Sequence, residues 1–178
     1  MKRNKYIWVF TKTRSETTKS PMSARKANDK QLVEKMERYC AYQERCRQEV
    51  RQKVRLLGET DEAVQQQIIA QLEGNKFIDE TRYARAFALD KFNLHGWGKV
   101  KIGLALRAKG IEEKPIDDAL AEINQSAYEQ TLKKLLQKKL TALRDEKDAF
   151  QKKGKLANYL ISKGYETDQV WSLLEKKI

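Results

Sequence analysis

The chain contains very few of the residues that build turns, with only two prolines and eight glycines among 178 residues. An all-β fold needs many turns, so this scarcity argues against one. Lysine, glutamate, glutamine, leucine and alanine are abundant instead, and all of them have high helix propensity. The composition therefore predicts an all-α protein whose helices bury narrow apolar stripes.

Histidine and cysteine are also scarce, since the sequence has one histidine, His95, and two cysteines, Cys40 and Cys46. On a single helix, residues six apart lie on different faces and about 9 Å apart along the axis, which is too far for a disulfide. One histidine and two cysteines at these spacings also make a poor zinc site. We therefore expect reduced thiols, a cytoplasmic location, no metal and no cofactor.

Long apolar runs and catalytic motifs are missing as well. The apolar run at residues 6–10 is shorter than a signal-peptide core, and no segment has the length of a membrane span. No glycine-rich phosphate loop occurs, and His95 has no obvious serine or cysteine partner. These absences predict a protein that is not an enzyme and does not enter a membrane.

Positive charge, by contrast, is in large excess, with 37 lysines and arginines against 25 acidic residues and a net charge of +12. Such an excess favours polyanionic partners through electrostatic steering and counterion release. A role in solubility alone is the simpler alternative. Residues 1–29 are rich in lysine, serine and threonine, and we interpret them as a flexible basic N-terminal arm.

A threefold repeat organises the rest of the chain. Gly58, Gly110 and Gly164 lie 52 and 54 residues apart, and apolar residues recur at fixed distances on both sides of them. The recurring apolar positions in the three copies are Val50, Ile102 and Leu156; Val54, Leu106 and Leu160; Val64, Ile116 and Val170; and Ile68, Leu120 and Leu174. Each copy indicates an amphipathic helix that ends at a glycine cap, followed by a second helix.

One further helix is predicted ahead of each of these helix pairs, and in the second copy Asp79 is its predicted N-cap. The sequence therefore predicts three tandem three-helix repeats, which are helix-turn-helix-like units at residues 30–77, 78–125 and 126–178. A unit of this size buries little apolar surface alone, so neighbouring units are expected to lean on one another. We expect an elongated, curved array.

The second repeat has a marked charge asymmetry. Its first two predicted helices contain one acid, Asp90, and seven basic residues: Arg82, Arg85, Lys91, Lys99, Lys101, Arg107 and Lys109. Its third predicted helix is acidic. Such a surface can hold phosphates on one side and basic protein groups on the other. Pairing of these charges within the protein is the alternative interpretation.

Two further features complete the candidate contact surface. The third repeat is the most basic folded part, and Lys133, Lys134 and Lys138 join the set of candidate partner- or DNA-binding residues. Trp97, between two glycines, is interpreted first as a core residue that fills the space between two repeats. The alternative is that its ring stacks on a base or on a partner.

The central part of the sequence resembles the RecX family of regulatory proteins. The resemblance is carried by the run FIDE from Phe77, by RYA from Arg82, and by Gly98, Ile102 and Gly110 further along. The tandem of three-helix units also matches the family's fold. The resemblance extends over about residues 30–178 and leaves out the basic arm.

The resemblance implies a function in DNA repair and recombination, within the SOS response. Proteins similar to RecX bind the RecA recombinase, both free and as filaments on single-stranded DNA. They hinder filament growth, ATP hydrolysis and strand exchange, and they have no catalytic residues. By this resemblance the chain is expected to be a monomeric regulator whose basic residues face DNA or RecA.

Two other function classes are compatible with the residues. One is a general helical DNA- or RNA-binding protein that acts without RecA, and the other is a peptide-binding scaffold, against which the charge argues. We place the main contact in the second repeat. Reversal of Arg82, Arg85, Lys99 and Lys101 to glutamate is expected to abolish inhibition while the fold stays intact.

Overall fold

The computed structural model describes the backbone of residues 21–177 and the side chains of residues 29–177. This part of the chain contains nine α-helices and no β-strand. In chain order they are α1 Pro21–Tyr42, α2 Arg47–Leu56, α3 Glu62–Gly74, α4 Glu80–His95, α5 Lys99–Arg107, α6 Glu113–Ala121, α7 Gln125–Ala142, α8 Ala149–Ser162 and α9 Thr167–Glu175. The predicted all-α class is confirmed.

The helices pack in three consecutive groups of three. The extensive helix–helix contacts all lie within α1–α3, within α4–α6 or within α7–α9, which we call repeats one, two and three. The predicted repetition of a three-helix unit is therefore confirmed. Between repeats the contacts come from helix ends, loops and long side chains. The elongation and curvature of the array stay a prediction.

Helix α1 begins earlier than the sequence suggested. It starts at Pro21, so residues 21–29, which we assigned to the flexible arm, are helical. The interpretation of residues 21–29 as an arm rested on their charge and composition. The rest of the arm, including the apolar run at residues 6–10, lies outside the described residues.

The predicted helix boundaries at the repeat glycines are confirmed. Gly58, Gly110 and Gly164 have φ values of 97°, 76° and 93°, which is the left-handed conformation that ends a helix without steric cost in glycine. Asp79 caps α4 as predicted, because its side chain accepts a hydrogen bond of 3.0 Å from the backbone N–H of Arg82. Local sequence signals thus determine where these helices begin and end.

The recurring apolar residues form the core. All of them are buried except Leu120, which is partly buried. Repeat one has its own core, whereas repeats two and three share a second, continuous core. Cys46 reaches across from repeat one and is buried in this second core. The described residues therefore form two separate hydrophobic cores, although they contain three repeats.

The two cysteines do not share a helix, which corrects the geometry assumed from their spacing. Cys40 lies in α1, and α1 ends at Tyr42, so Cys46 is the residue that precedes α2. Both thiols are buried and neither is in a disulfide. Burial raises the pKa of Cys40 to about 11 and also raises the pKa of Cys46. The thiols are therefore held in the protonated, unreactive form.

Repeats two and three contact each other through backbone hydrogen bonds. The N–H of Gly98 donates to the carbonyl of Lys163 at 2.8 Å, and the N–H of Val100 donates to the carbonyl of Gly164 at 3.1 Å. A Cβ atom on Gly98 would overlap the Gly164 carbonyl, and one on Gly164 would overlap Lys101. Only glycine permits this approach. We call this contact interface 2–3.

The side chain of Tyr128 in α7 lies next to this contact and is fully buried. Its hydroxyl accepts a hydrogen bond of 2.9 Å from the N–H of Lys99 and donates one of 2.8 Å to Glu166. Its ring lies against Phe92 and Tyr165, with centroid distances of 5.8 Å and 4.9 Å. Burial, and to a lesser extent the Glu166 carboxylate, raises the pKa of Tyr128. The hydroxyl therefore links Lys99, the first residue of α5, to Glu166, the residue that precedes α9.

Gly98→Ala tests the backbone contact of interface 2–3. Gly98 has φ −80°, which any residue adopts, so the only cost of alanine is the overlap with Gly164. We expect the free energy of unfolding to fall by about 1–3 kcal/mol, as for other overpacked sites. The measurement is urea-induced unfolding followed by circular dichroism.

Gly154→Ala is the matched control, since a Cβ there meets nothing within 4 Å inside α8. It should stabilise by about 0.5–1 kcal/mol, and equal stability of Gly98→Ala and wild type would contradict the account.

Tyr128→Phe tests the buried hydroxyl. The change removes one oxygen and leaves the Lys99 N–H and the Glu166 carboxylate without this partner. We expect a loss of about 1–3 kcal/mol in the free energy of unfolding, the usual cost of an unsatisfied buried polar group. Tyr42→Phe removes the same atom from a side chain that is 88% exposed and should leave stability unchanged. Equal effects of the two variants would show that the hydroxyl contributes nothing.

Candidate partner and nucleic-acid interface

Most of the candidate basic residues of repeat two are paired within the protein. Five of them contact carboxylates: Arg82 with Glu44, Arg85 with Glu122, Lys91 with Asp90, Arg107 with Glu113, and Lys109 with Glu49. The alternative of intramolecular pairing therefore describes these five side chains in the structure. Their charges are largely compensated before any partner arrives.

Two of these cations hold repeat one to repeat two. Nζ of Lys109 lies 2.7 Å from Glu49 of α2, and the same carboxylate accepts a hydrogen bond of 3.0 Å from the hydroxyl of Tyr83. Nε of Arg82 lies 2.6 Å from Glu44, in the loop before α2. We call this contact interface 1–2. It depends on ion pairs between side chains, unlike interface 2–3.

Two other cations are neutralised by the acidic helix of their own repeat. Arg107 binds Glu113 through two nitrogens, at 2.6 Å and 2.8 Å, and this contact lowers the pKa of the Glu113 carboxyl. Arg85 pairs with Glu122 at the end of α6. The asymmetry between basic and acidic helices in the sequence is thus largely cancelled where the helices meet.

This pairing bears on one expectation. Arg82→Glu would face Glu44, and Arg85→Glu would face Glu122. Like charges at such distances repel, although partly exposed pairs contribute only about 0–1 kcal/mol each. We therefore expect the fourfold reversal, which also changes Lys99 and Lys101, to weaken interface 1–2 and repeat two.

Lys99 and Lys101 lie over aromatic rings at interface 2–3. Nζ of Lys99 is 5.2 Å from the ring centroid of Tyr128, and Nζ of Lys101 is 4.7 Å from that of Trp97. Lys101 also donates to the carbonyl of Ser162 at 3.2 Å. Among the described residues neither lysine has a carboxylate partner. Trp97 packs against the shared core and is partly exposed, so its two interpretations, as a residue between repeats and as a stacking ring, both stay predictions.

The three candidate lysines of repeat three carry uncompensated charge. Lys133, Lys134 and Lys138 are exposed on α7, and no described residue forms an ion pair or hydrogen bond with their ammonium groups. Lys134 and Lys138 lie one helical turn apart, and Lys133 is adjacent to Lys134. We call these three residues the α7 lysine face. It presents three positive charges to solvent.

One group of residues was missed in the candidate set. Lys139 of α7 and Lys163 at the end of α8 both lie over the ring of Tyr159, at 5.4 Å and 5.9 Å from its centroid. Lys163 lies four residues after Tyr159, which is the spacing of neighbouring side chains on a helix. Lys139 joins them only because α7 packs on α8, and no spacing in the sequence signals that contact.

The sequence predicted neither a membrane-spanning helix nor a metal site. Within residues 21–177 no helix is long and apolar enough to cross a membrane. Within the same range no cluster of three or more histidine, cysteine, aspartate or glutamate side chains could hold a metal ion. The arrangement of charges and rings is therefore the feature of this surface that bears on function.

Family models match the second and third repeats. Residues 79–120 match the second three-helix domain of RecX, and residues 127–174 match the third three-helix domain of RecX. The first match contains interface 1–2 residues and most of repeat two, and the second covers almost all of repeat three. Together the two models match half of the chain.

Similar full-length proteins agree with these family models. The chain is 34% identical over 129 residues to the regulatory protein RecX of Clostridium beijerinckii, which is 72% of this chain and 59% of the relative. It is 31% identical over 131 residues to the regulatory protein RecX of Clostridium botulinum, which is 73% of this chain and 60% of the relative. The chain thus spans about three fifths of the length of these relatives.

Solved structures show the same architecture. The crystal structure of RecX from Lactobacillus salivarius superposes with a TM-score of 0.72 at 25% identity, over 84% of this chain and 97% of that one. A second crystal structure of a regulatory protein RecX gives a TM-score of 0.78 at 26% identity, over 88% and 75% of the two chains. Domain models, relatives and structures all agree, and the chain belongs to the RecX family.

Proposed function

We propose that this protein is a non-enzymatic, cytoplasmic and monomeric regulator of the RecA recombinase. It binds RecA and the RecA filament on single-stranded DNA, and it restrains filament growth, ATP hydrolysis and strand exchange. Membership in a family whose members are named regulatory proteins carries this proposal. The proposal assigns the protein to DNA repair and recombination.

The distribution of free charge supports a nucleoprotein target. The α7 lysine face has no carboxylate partner among the described residues, whereas five of the seven candidates in repeat two do. Uncompensated charges release more counterions and gain more from a polyanion than paired ones. We therefore place the main electrostatic contact on Lys133, Lys134 and Lys138, and we give Arg82 and Lys109 the role of holding repeats together.

The shared core of repeats two and three also supports this assignment. Because the two repeats form one hydrophobic body, the α7 lysine face has a fixed orientation relative to repeat two. A partner that contacts both repeats then does not have to order them first, which reduces the entropic cost of binding. A regular, extended target such as a filament suits a surface of fixed geometry.

A general helical DNA- or RNA-binding protein is the second candidate function. The same lysines favour it, since they bind phosphates with or without a recombinase. The two functions differ in their target. The alternative predicts tight, salt-dependent binding to bare nucleic acid and no effect on RecA at substoichiometric amounts.

The rate of ATP hydrolysis by RecA on single-stranded DNA distinguishes the two functions. The full chain is titrated into the reaction at concentrations below that of RecA. We expect inhibition at these amounts, because a filament-directed regulator blocks many subunits per bound molecule. Competition by coating of DNA requires amounts comparable to the available sites. Absence of inhibition, together with tight binding to bare DNA, would contradict the proposal and favour the alternative.

Reversal of the α7 lysine face tests the proposed contact. The variant Lys133→Glu, Lys134→Glu, Lys138→Glu should fold normally, since all three side chains are exposed, and should need at least about tenfold more protein for half-maximal inhibition. Lys30→Glu, Lys35→Glu, Lys114→Glu makes the same change of net charge at exposed positions elsewhere and should inhibit almost as wild type does. Equal potency of the two triple variants would show that only net charge matters.

A further inference from the structure

Interface 2–3 gathers lysines around two aromatic rings. The first ring is Trp97 of repeat two, with Lys101 over it at 4.7 Å. The second ring is Tyr159 of repeat three, with Lys139 and Lys163 over it at 5.4 Å and 5.9 Å. We call these five residues the aromatic–lysine cluster. The α7 lysine face is separate from it and contains none of these residues.

The two halves of the cluster meet across the interface. The ammonium of Lys101 lies over Trp97 and also donates to the carbonyl of Ser162 in the last turn of α8. The hydroxyl of Ser162 in turn donates to the carbonyl of Tyr159 at 2.7 Å. The carbonyl of Lys163 accepts the N–H of Gly98, the residue next to Trp97. Trp97 and the last turn of α8, which contains Tyr159, therefore lie on the two sides of one contact.

The charges of the cluster are uncompensated. None of its three lysines has a carboxylate partner in the part of the chain that the structure describes. The neighbouring Lys91, which also approaches Trp97, is paired with Asp90 at 3.2 Å. Cation–π contacts orient the three ammonium groups but leave their net charge in place. The cluster therefore keeps three positive charges that can bind anions.

The two aromatic rings favour a ligand that has bases as well as phosphates. Trp97 and Tyr159 are both partly buried and pack against the shared core. A half-exposed aromatic ring beside lysines offers a stacking surface for a base next to a binding site for its phosphate. In a duplex the faces of the bases are stacked on one another, so only an unpaired strand can use such rings. An acidic protein segment would use the lysines but gain little from the rings.

We propose that the aromatic–lysine cluster is a binding site for single-stranded nucleic acid. Lys101, Lys139 and Lys163 move from the ring faces onto phosphates, and bases then stack on Trp97 and Tyr159. This inference deepens the proposed function, on which it rests, by naming a direct contact with the strand inside the nucleoprotein target. The site exists only because repeats two and three are joined, since each repeat supplies one ring and part of the lysines.

The binding test uses bare oligonucleotide, without RecA. A fluorescein-labelled oligothymidylate of about 20 nucleotides is compared with an abasic strand of equal length by fluorescence anisotropy. We expect tighter binding of the oligothymidylate, and Trp97→Ala should weaken it about five- to 150-fold and remove the difference between the strands. Trp171→Ala is the matched control, because this tryptophan is 38% exposed and no lysine lies over its ring. It should bind as wild type does.

A second variant covers the case in which Trp97→Ala disturbs the core. Lys101→Gln, Lys139→Gln, Lys163→Gln keeps both rings and removes three charges. The slope of log affinity against log salt concentration should become shallower by about two, as expected for three phosphates of a single strand. Lys30→Gln, Lys35→Gln, Lys114→Gln is the charge-matched control and should keep the wild-type slope.

The outcomes separate this inference from the proposed function. Equal binding of the abasic strand and the oligothymidylate by wild type, or a wild-type salt slope in the triple glutamine variant, would overturn the site. Either result leaves the RecA assay unaffected, because no RecA is present here. Conversely, stacking-dependent binding combined with an absence of RecA inhibition would support the site and refute the regulator.

Discussion

The close approach of Gly98 to Gly164 is the contact on which the arrangement of the protein depends. Two backbones meet there without side chains between them, and two N–H groups of repeat two donate to carbonyls of repeat three. This contact brings α5 and α8 together and places Tyr128 where its hydroxyl links α5 to α9. The continuous core of repeats two and three and the position of Trp97 follow from it.

The two interfaces between repeats use different physical interactions. Interface 2–3 relies on backbone hydrogen bonds and a shared apolar core, both of which are insensitive to salt. Interface 1–2 relies on ion pairs of Arg82 and Lys109 with carboxylates of repeat one, with Cys46 as its apolar contact. Screening weakens such pairs, especially where they are exposed. Much of the positive charge of repeat two thus maintains the fold, whereas the lysines of the α7 lysine face and of the aromatic–lysine cluster have no carboxylate partner among the described residues.

The sequence was sufficient to predict those parts of the fold that depend on local patterns. The apolar positions around Gly58, Gly110 and Gly164 predicted the helix pairs, and Asp79 marked the start of α4. The partners of the charges were not predictable, because Arg82 and Glu44 lie 38 residues apart and meet only after the repeats pack. The contact of Lys139 with Tyr159 likewise depends on how α8 lies on α7. Charge content therefore indicated Lys101 and the α7 lysine face as candidates, but not Lys139 and Lys163.

The unity of repeats two and three is the central claim, and amide hydrogen exchange measures it most directly. The N–H groups of Gly98 and Val100 cross interface 2–3, whereas that of Ile102 lies inside repeat two. If the two repeats are one body, all three amides should exchange with the same opening free energy as the core amides of repeat three. Markedly faster exchange of Gly98 and Val100 than of both cores would show that the repeats separate independently, and it would contradict the account.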